Sequence, residues 1–146
     1  MKDMKRPFII IVIWLLTIIS ANAQSGLSVN QVFEGQVVPK SQMVETRVKG
    51  KTLSKYQLSY FRSVRFLATD EKVQQVQQLV DSDRRKVADE NWQQQSSGSK
   101  TTIMVQLPLE KGCNRFLCYK QHGQEVTLVY MEGTLSSLDK LKELLQ

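Results

Sequence analysis

The residues that could support chemistry in this 146-residue chain are few and scattered. Its single histidine, His122, stands beside Gly123, and Glu125 follows shortly after. A metal site needs three or four His, Cys or carboxylate ligands. A serine hydrolase needs a nucleophile next to a base that a carboxylate orients. The sequence has no HxxxH or CxxC spacing and no Gly-x-Ser-x-Gly elbow. We therefore predict no catalytic, cofactor-binding or metal-ligating residues and interpret His122 as a turn residue.

Paired carboxylates are the remaining route to hydrolysis, because two of them can act as acid and base in a glycosidase. The candidates are Asp81, Asp83, Asp89 and Glu90. They fall on a predicted helix whose charged residues look solvated. A non-catalytic protein is the main interpretation, and a periplasmic or secreted hydrolase with an unrecognised site is the alternative.

The two cysteines could form a disulfide if the chain is exported to an oxidising compartment. On an extended strand, Cys113 and Cys118 would be separated by roughly 16 Å between Cα atoms. A disulfide needs a Cα separation of about 4.4–6.8 Å. Only a tight loop over Asn114-Arg115 would bring them that close, and Cys118 also fits a small buried apolar residue. The sequence is compatible both with a Cys113–Cys118 disulfide and with two free cysteines.

A basic stretch at residues 49–65 interleaves cations with aromatic side chains. Such mixtures can bind single-stranded nucleic acid or, outside the cell, anionic glycans and lipid head groups. They also occur on ordinary strands whose aromatic residues enter the core. The candidate anion-binding residues are Lys51, Lys55, Arg62 and Arg65. On one strand Arg62 and Arg65 face opposite sides, because successive side chains alternate. The four cations therefore share one surface only if the segment twists or is partly helical.

The N-terminus is predicted to be a signal peptide covering residues 1–23. Three basic residues open it, namely Lys2, Lys5 and Arg6. An apolar run over residues 8–19 follows, and Ala21 and Ala23 place small side chains before the expected cut after Ala23. An uncleaved anchor is the alternative, but this run is shorter than the roughly 18–20 residues that span a bilayer. We expect a periplasmic or secreted protein with no membrane span after cleavage.

The remaining residues, 24–146, are predicted to form a single α+β domain. Apolar alternation predicts strands at 43–49, 58–67, 103–109, 116–119 and 126–131, and helical spacing predicts a helix at 28–34. A second helix is predicted after a cap at Thr69 or Asp70, with an apolar stripe over residues 73–87, and a last helix after a cap at Thr134 or Ser136, with leucines over residues 138–145. The order αββαβββα indicates a mostly antiparallel sheet of about five strands with helices packed on one face.

Three segments of this domain need their own interpretation. Residues 93–99, QQQSSGS, are interpreted as a flexible connector inside the domain. Residues 53–68 fit both helical and strand spacing, and their aromatic and β-branched content favours a strand at 58–67. The hairpin at 116–133 carries apolar residues on both faces of its second strand. It is therefore predicted to lie in the middle of the sheet.

The mature sequence also resembles a group of known proteins. GKTLSKYQLSYFRSVRF followed by a helix, EVTLVYMEGTLSSLDKLKELL at the end, and the Ala-Asn-Ala-Gln cleavage region are similar to small exported proteins of unknown function in Bacteroides-type bacteria. The resemblance implies a periplasmic or surface context and carries over no site residues.

We expect a binding or accessory protein of the cell envelope. Its expected partner is an envelope protein or an anionic glycan, and not a nucleic acid. A secreted effector held on an anionic polymer is a further alternative. The full chain has a formal charge of +6, and without Lys2, Lys5, Arg6 and Asp3 the mature chain has 17 basic and 13 acidic residues, a charge of 17 − 13 = +4. This modest excess fits weak attraction to anions. The sequence leaves the ligand and the oligomeric state open.

Overall fold

A six-stranded antiparallel sheet forms the centre of the computed structural model, which describes residues 26–145. The predicted signal peptide, residues 1–23, lies outside the described residues. The strands are β1 Met43–Lys49, β2 Leu58–Leu67, β3 Trp92–Ser97, β4 Lys100–Glu110, β5 Cys113–His122 and β6 Glu125–Gly133. The α-helices are α1 Asn30–Phe33, α2 Asp70–Arg84 and α3 Leu138–Leu145. Three short 3₁₀ helices cover Lys40–Gln42, Lys51–Tyr56 and Asp89–Asn91.

The strand order across the sheet is β1-β2-β6-β5-β4-β3. The β5–β6 hairpin therefore lies in the middle of the sheet, as its two apolar faces predict. Leu128 is fully buried and Val129 is 7% exposed, so the two faces of β6 are both covered at this point. The ambiguous residues 53–68 divide into a 3₁₀ helix, which ends at Tyr56, and the predicted strand β2.

The α+β class is confirmed, but the sheet has six strands where about five were predicted. The additional strand is β3, which contains most of the QQQSSGS stretch that was interpreted as a connector at 93–99. It pairs with β4 from Trp92 opposite Val105 to Ser97 opposite Lys100. This pairing uses backbone groups, and an edge strand exposed to water needs no alternation of apolar side chains. The observed element order is αββαββββα.

Helices cover both faces of the sheet, which corrects the prediction that they pack on one face. On the first face, α2 contributes Val73, Val76 and Val80 to a core that also contains the sheet residues Val64 and Leu128. The segment before β1 adds further apolar side chains to this core: Val29, Val32, Phe33, Val37 and Val38. Thr69 caps α2 by accepting a hydrogen bond from the Lys72 backbone N–H at 3.4 Å.

On the second face, Leu138 and Leu141 of α3 pack over the sheet. The sheet residues beneath them are Met104, Phe116, Cys118, Val129 and Met131. Helices lie on both faces because β5 and β6 carry apolar side chains on each of their two faces. A sheet that is apolar on two faces needs a covering layer on each.

A close approach between two turns sets where α3 begins. The backbone N–H groups of Thr134 and Leu135 both donate to the carbonyl oxygen of Gln57 at 3.0 Å. A Cβ at position 133 would collide with the same carbonyl group, so Gly133 is required there. The chain can therefore turn from β6 directly onto the second face.

Candidate anion-binding surface

Among residues 26–145, helix α3 packs over one half of the second face and leaves the other half without a covering layer. The uncovered half lies toward the β3–β4 and β5–β6 turns, where the sheet presents polar side chains to solvent. We call this uncovered half the basic sheet face. It consists of Arg65, Lys100, Thr102, Lys120, His122 and Thr127.

The strand register places these residues in two adjacent rows. In the first row Arg65 is opposite Thr127, Thr127 is opposite Lys120, and Lys120 is opposite Thr102. Arg65 and Lys120 are two strands apart, so about 10 Å separates their backbones at the usual strand spacing. In the second row Lys100 is directly opposite His122. Three cations therefore project from three strands toward the same side.

The side chains of Arg65, Lys100, Lys120 and His122 are exposed, and those of Thr102 and Thr127 are half-buried. Within residues 26–145, none of the three cations forms an ion pair. The surface also holds one carboxylate, Glu125, which lies opposite His122. The side chains of Lys100, Thr102, Lys120, His122, Glu125 and Thr127 line a shallow depression of about 350 Å³. The surface is open, positively charged and rich in hydroxyl groups.

Two turns hold the second row in place. The backbone N–H of Gly123, in the β5–β6 turn, donates to the carbonyl oxygen of Ser99 in the β3–β4 turn at 3.2 Å. Gly123 has φ +60° and Gly98 has φ +59°, and glycine adopts this backbone conformation at little cost. The link between the turns keeps Lys100 beside His122.

The structure does not bring together the four cations that the sequence suggested. Lys51 and Lys55 lie exposed on the 3₁₀ helix Lys51–Tyr56, at the end of the sheet away from the basic sheet face. Arg62 lies on the first face and Arg65 on the second, as the odd spacing along β2 requires. Of the four, only Arg65 belongs to the basic sheet face.

Arg62 has a structural position. Its side chain is 4% exposed, and its Nε lies 3.2 Å from Glu45 Oε1. It also donates from Nη2 to the backbone carbonyl of Phe33 at 3.2 Å, and its guanidinium lies 5.0 Å from the centre of the Phe33 ring. These contacts join the segment before β1 to the sheet. Because these contacts bury Arg62, its side chain is not accessible to a polymer in solution.

Both cysteines are free in the structure. They lie on the same strand, β5, and position 118 is five residues after position 113. Because side chains alternate along a strand, the two cysteines face opposite sides of the sheet. Cys118 is buried on the second face beneath α3. Burial raises the pKa of its thiol to about 11, against a smaller opposing effect of the Lys120 charge. Cys118 is therefore a core residue with little thiolate at neutral pH.

Ligand clusters and long apolar helices were expected to be absent, and the following holds for residues 26–145. No three His, Cys, Asp or Glu side chains in this part come together in a way that could hold a metal ion. His122 has Glu125 as its cross-strand partner, but both are exposed next to a turn. Of the described helices, none is long and apolar enough to cross a membrane.

Reasoning from the sequence missed Lys100, Thr102, Lys120 and Thr127. One signal could have found two of them, because a short turn at Gly123-Gln124 fixes the pairing of the hairpin and puts Lys120 opposite Thr127. Lys100 could not be found in this way, since its position depends on the pairing of β4 with β5.

Comparison with known protein families finds a match over most of the chain. A model described as a family of unknown function, DUF6108, matches residues 16–145. No curated protein and no solved structure matches the chain.

Proposed function

Because the chain belongs to DUF6108, a family of unknown function, we propose its function from its own surface. It is an exported, non-catalytic binding protein of the cell envelope that holds an anionic glycan against the basic sheet face. The observation that carries this proposal is the row formed by Arg65, Thr127, Lys120 and Thr102 across four adjacent strands.

The spacing of the cations favours an extended ligand. Carboxylate or sulfate groups repeated along a glycan can meet Arg65 and Lys120 at about 10 Å, the distance across two strands. Thr102 and Thr127 lie between and beside these cations and can hydrogen-bond to sugar hydroxyls. The cations stand in two adjacent rows on the sheet face, so an extended polymer can contact both rows at once.

The available charge also favours an anion. Arg65, Lys100 and Lys120 have no carboxylate partner among the described residues, so binding an anion breaks no ion pair. Exposed charges act over about 8–10 Å at physiological ionic strength. Lys120 lies within about that range of both Arg65, two strands away, and Lys100 on the adjacent strand β4. The fields of neighbouring cations therefore add along the surface and attract an anionic polymer.

The placement in the envelope rests on the predicted signal peptide at residues 1–23, with export to the periplasm or the cell surface of a Bacteroides-type bacterium. Anionic glycans are the polyanions of that compartment, whereas nucleic acids are mainly inside the cell. Intact-mass measurement of protein from the native host tests the placement. A mature chain beginning at Gln24 supports it, and a retained Met1 in the membrane fraction contradicts it.

The binding proposal is tested with two triple variants that remove equal charge. The first is R65Q/K100Q/K120Q on the basic sheet face. The control, K49Q/K51Q/K111Q, removes three exposed lysines toward the opposite end of the sheet. Both proteins and the wild type are eluted by a salt gradient from heparin and polygalacturonate columns, after urea unfolding has shown that all three fold.

We expect the first variant to elute at clearly lower salt than the control, because the control keeps the cations that contact the glycan. Equal elution of the two variants would show attraction by net charge alone and would contradict the proposal. Tight retention on single-stranded DNA without retention on either glycan would also contradict it.

A further inference from the structure

An apolar groove lies on the other half of the second face, between the 3₁₀ helix Lys51–Tyr56 and helix α3. Its volume is about 340 Å³. Side chains from β1, β2, β6, the 3₁₀ helix and α3 line it, and they include Val48, Leu53, Tyr56, Phe61, Met131 and Leu144. The groove is separate from the basic sheet face and shares none of its residues.

The floor and the walls of the groove differ in exposure. Leu53 and Met131 are buried and form the floor, while Val48, Phe61 and Leu144 are only partly buried. Tyr56 is 42% exposed, although large aromatic side chains usually contribute most of their area to a core. The protein thus keeps a concave apolar surface open to solvent.

A polar depression of about 400 Å³ continues from this groove and shares Tyr56 and Leu144 with it. Its charged lining residues are Lys55, Lys140 and Glu143. The Lys55 Nζ lies 5.0 Å from the centre of the Tyr56 ring, so one cation stands at the boundary between the apolar and polar parts. Two ammonium groups against one carboxylate leave one net positive charge.

We infer that the apolar groove and the polar depression together form one site, the composite groove, and that it binds a long-chain fatty acid. The hydrocarbon chain lies along Val48, Phe61 and Leu144, and the carboxylate lies between Lys55 and Lys140. The single net positive charge matches a single carboxylate. The apolar volume is at the lower end of the roughly 300–1,000 Å³ of small-molecule sites, which suits one hydrocarbon chain better than the two chains of a diacyl lipid.

The test of the apolar part compares two valine variants of the protein expressed from its full-length chain. V48E places a carboxylate in the groove, and V44E places the same group on the same face of the same strand outside it. Binding of palmitate is measured by calorimetry below its micelle concentration. We expect V48E to weaken palmitate binding by at least about tenfold, because a buried unpaired charge is costly. V44E, at a position that is already 60% exposed, keeps wild-type affinity.

The test of the polar part compares two double variants and two ligands. K55Q/K140Q removes the proposed carboxylate partners, and K49Q/K111Q removes two exposed lysines elsewhere. We expect K55Q/K140Q to weaken palmitate binding and to leave hexadecanol binding unchanged, since hexadecanol has no charge. K49Q/K111Q should bind both ligands as the wild type does.

Three results would overturn the inference. They are no saturable binding of palmitate by the wild type, equal affinity of V48E and V44E for palmitate, and binding to phosphatidylglycerol vesicles without binding to monomeric palmitate. The last result would assign the groove to a membrane surface. Loss of glycan binding in R65Q/K100Q/K120Q bears only on the basic sheet face, so the two proposals fail independently.

Discussion

The carboxylate of Asp83 accepts a hydrogen bond from the backbone N–H of Val29 at 3.0 Å, although 54 positions separate the two residues in the chain. Its other oxygen accepts from the Ser28 N–H at 2.7 Å and from Lys86 Nζ at 3.2 Å. Asp83 is fully buried. It therefore fixes the segment before β1 to the end of helix α2, and this segment covers part of the first face.

We predict that D83A lowers the free energy of unfolding by about 2–4 kcal/mol, because the buried N–H of Val29 and the partly buried N–H of Ser28 lose their acceptor. D81A is the matched control on the same helix. The Asp81 ion pair with Arg84, at 3.3 Å, is partly exposed, and its loss should cost less than about 1 kcal/mol. Urea unfolding of both variants provides the measurement. Equal losses would mean that the Asp83 contacts contribute little.

The two arginines of β2 provide a second prediction. Arg62 is buried against Glu45 and Phe33, whereas Arg65 is exposed on the basic sheet face. R62A should cost about 2–4 kcal/mol, because it removes the hydrogen bonds to Glu45 and to the buried Phe33 carbonyl and the packing against the Phe33 ring. R65A should change stability by no more than about 0.5 kcal/mol. Thermal and urea unfolding measure both, and a large loss in R65A would place that arginine in a structural role.

The same two arginines show how far the sequence could predict the candidate site. Side-chain alternation along β2 correctly places Arg62 and Arg65 on opposite faces of the sheet, because alternation depends only on the positions of residues within one strand. Alternation does not reveal which of the two arginines is buried beneath another segment of the chain. The cover over Arg62 comes from the segment around Phe33, and the exposure of Arg65 depends on which part of the second face α3 packs against.

The same holds for the fold: elements marked by local apolar periodicity were predicted, whereas features that depend on distant segments of the chain were missed. Periodic apolar residues predicted β2, the central β5–β6 hairpin and helix α2. They missed β3, because a Gln- and Ser-rich edge strand has no apolar face to mark it and is held by backbone pairing with β4. They also assigned Asp83 to a solvated helix face, since the N–H groups that it accepts from belong to a distant segment.

A third prediction concerns the dependence of stability on pH. Burial raises the pKa of Glu45, but a hydrogen bond from Arg47 and the charges of Arg62 and Arg47 outweigh it, so the pKa lies below its ordinary value of 4.5. A lowered pKa in the folded state means that the ionised carboxylate stabilises the fold above the unfolded pKa. That stabilisation is lost as the pH falls through the folded pKa.

The stability difference between the wild type and E45Q should therefore be constant near neutral pH and shrink as the pH falls below 4.5. Urea unfolding at a series of pH values measures it. In an R47Q background the pH dependence should be weaker, because the hydrogen bond that lowers the Glu45 pKa is absent. A difference between wild type and E45Q that grows in acid would contradict the sign of this linkage.

The last prediction concerns the two thiols. Cys113 is half-buried, whereas Cys118 lies beneath α3 with its pKa raised to about 11 by burial. Thiol reagents attack the thiolate, so at about pH 8 a folded chain should be labelled at Cys113 well before Cys118. Mass spectrometry of peptides after iodoacetamide treatment identifies the labelled residue, and C113S is the control that should leave the folded protein almost unlabelled. Unfolding in urea should then expose Cys118 in the wild type and in C113S alike. If neither thiol of the unfolded wild type reacts until a reductant is added, the two cysteines form a bridge, and β5 must bend between them.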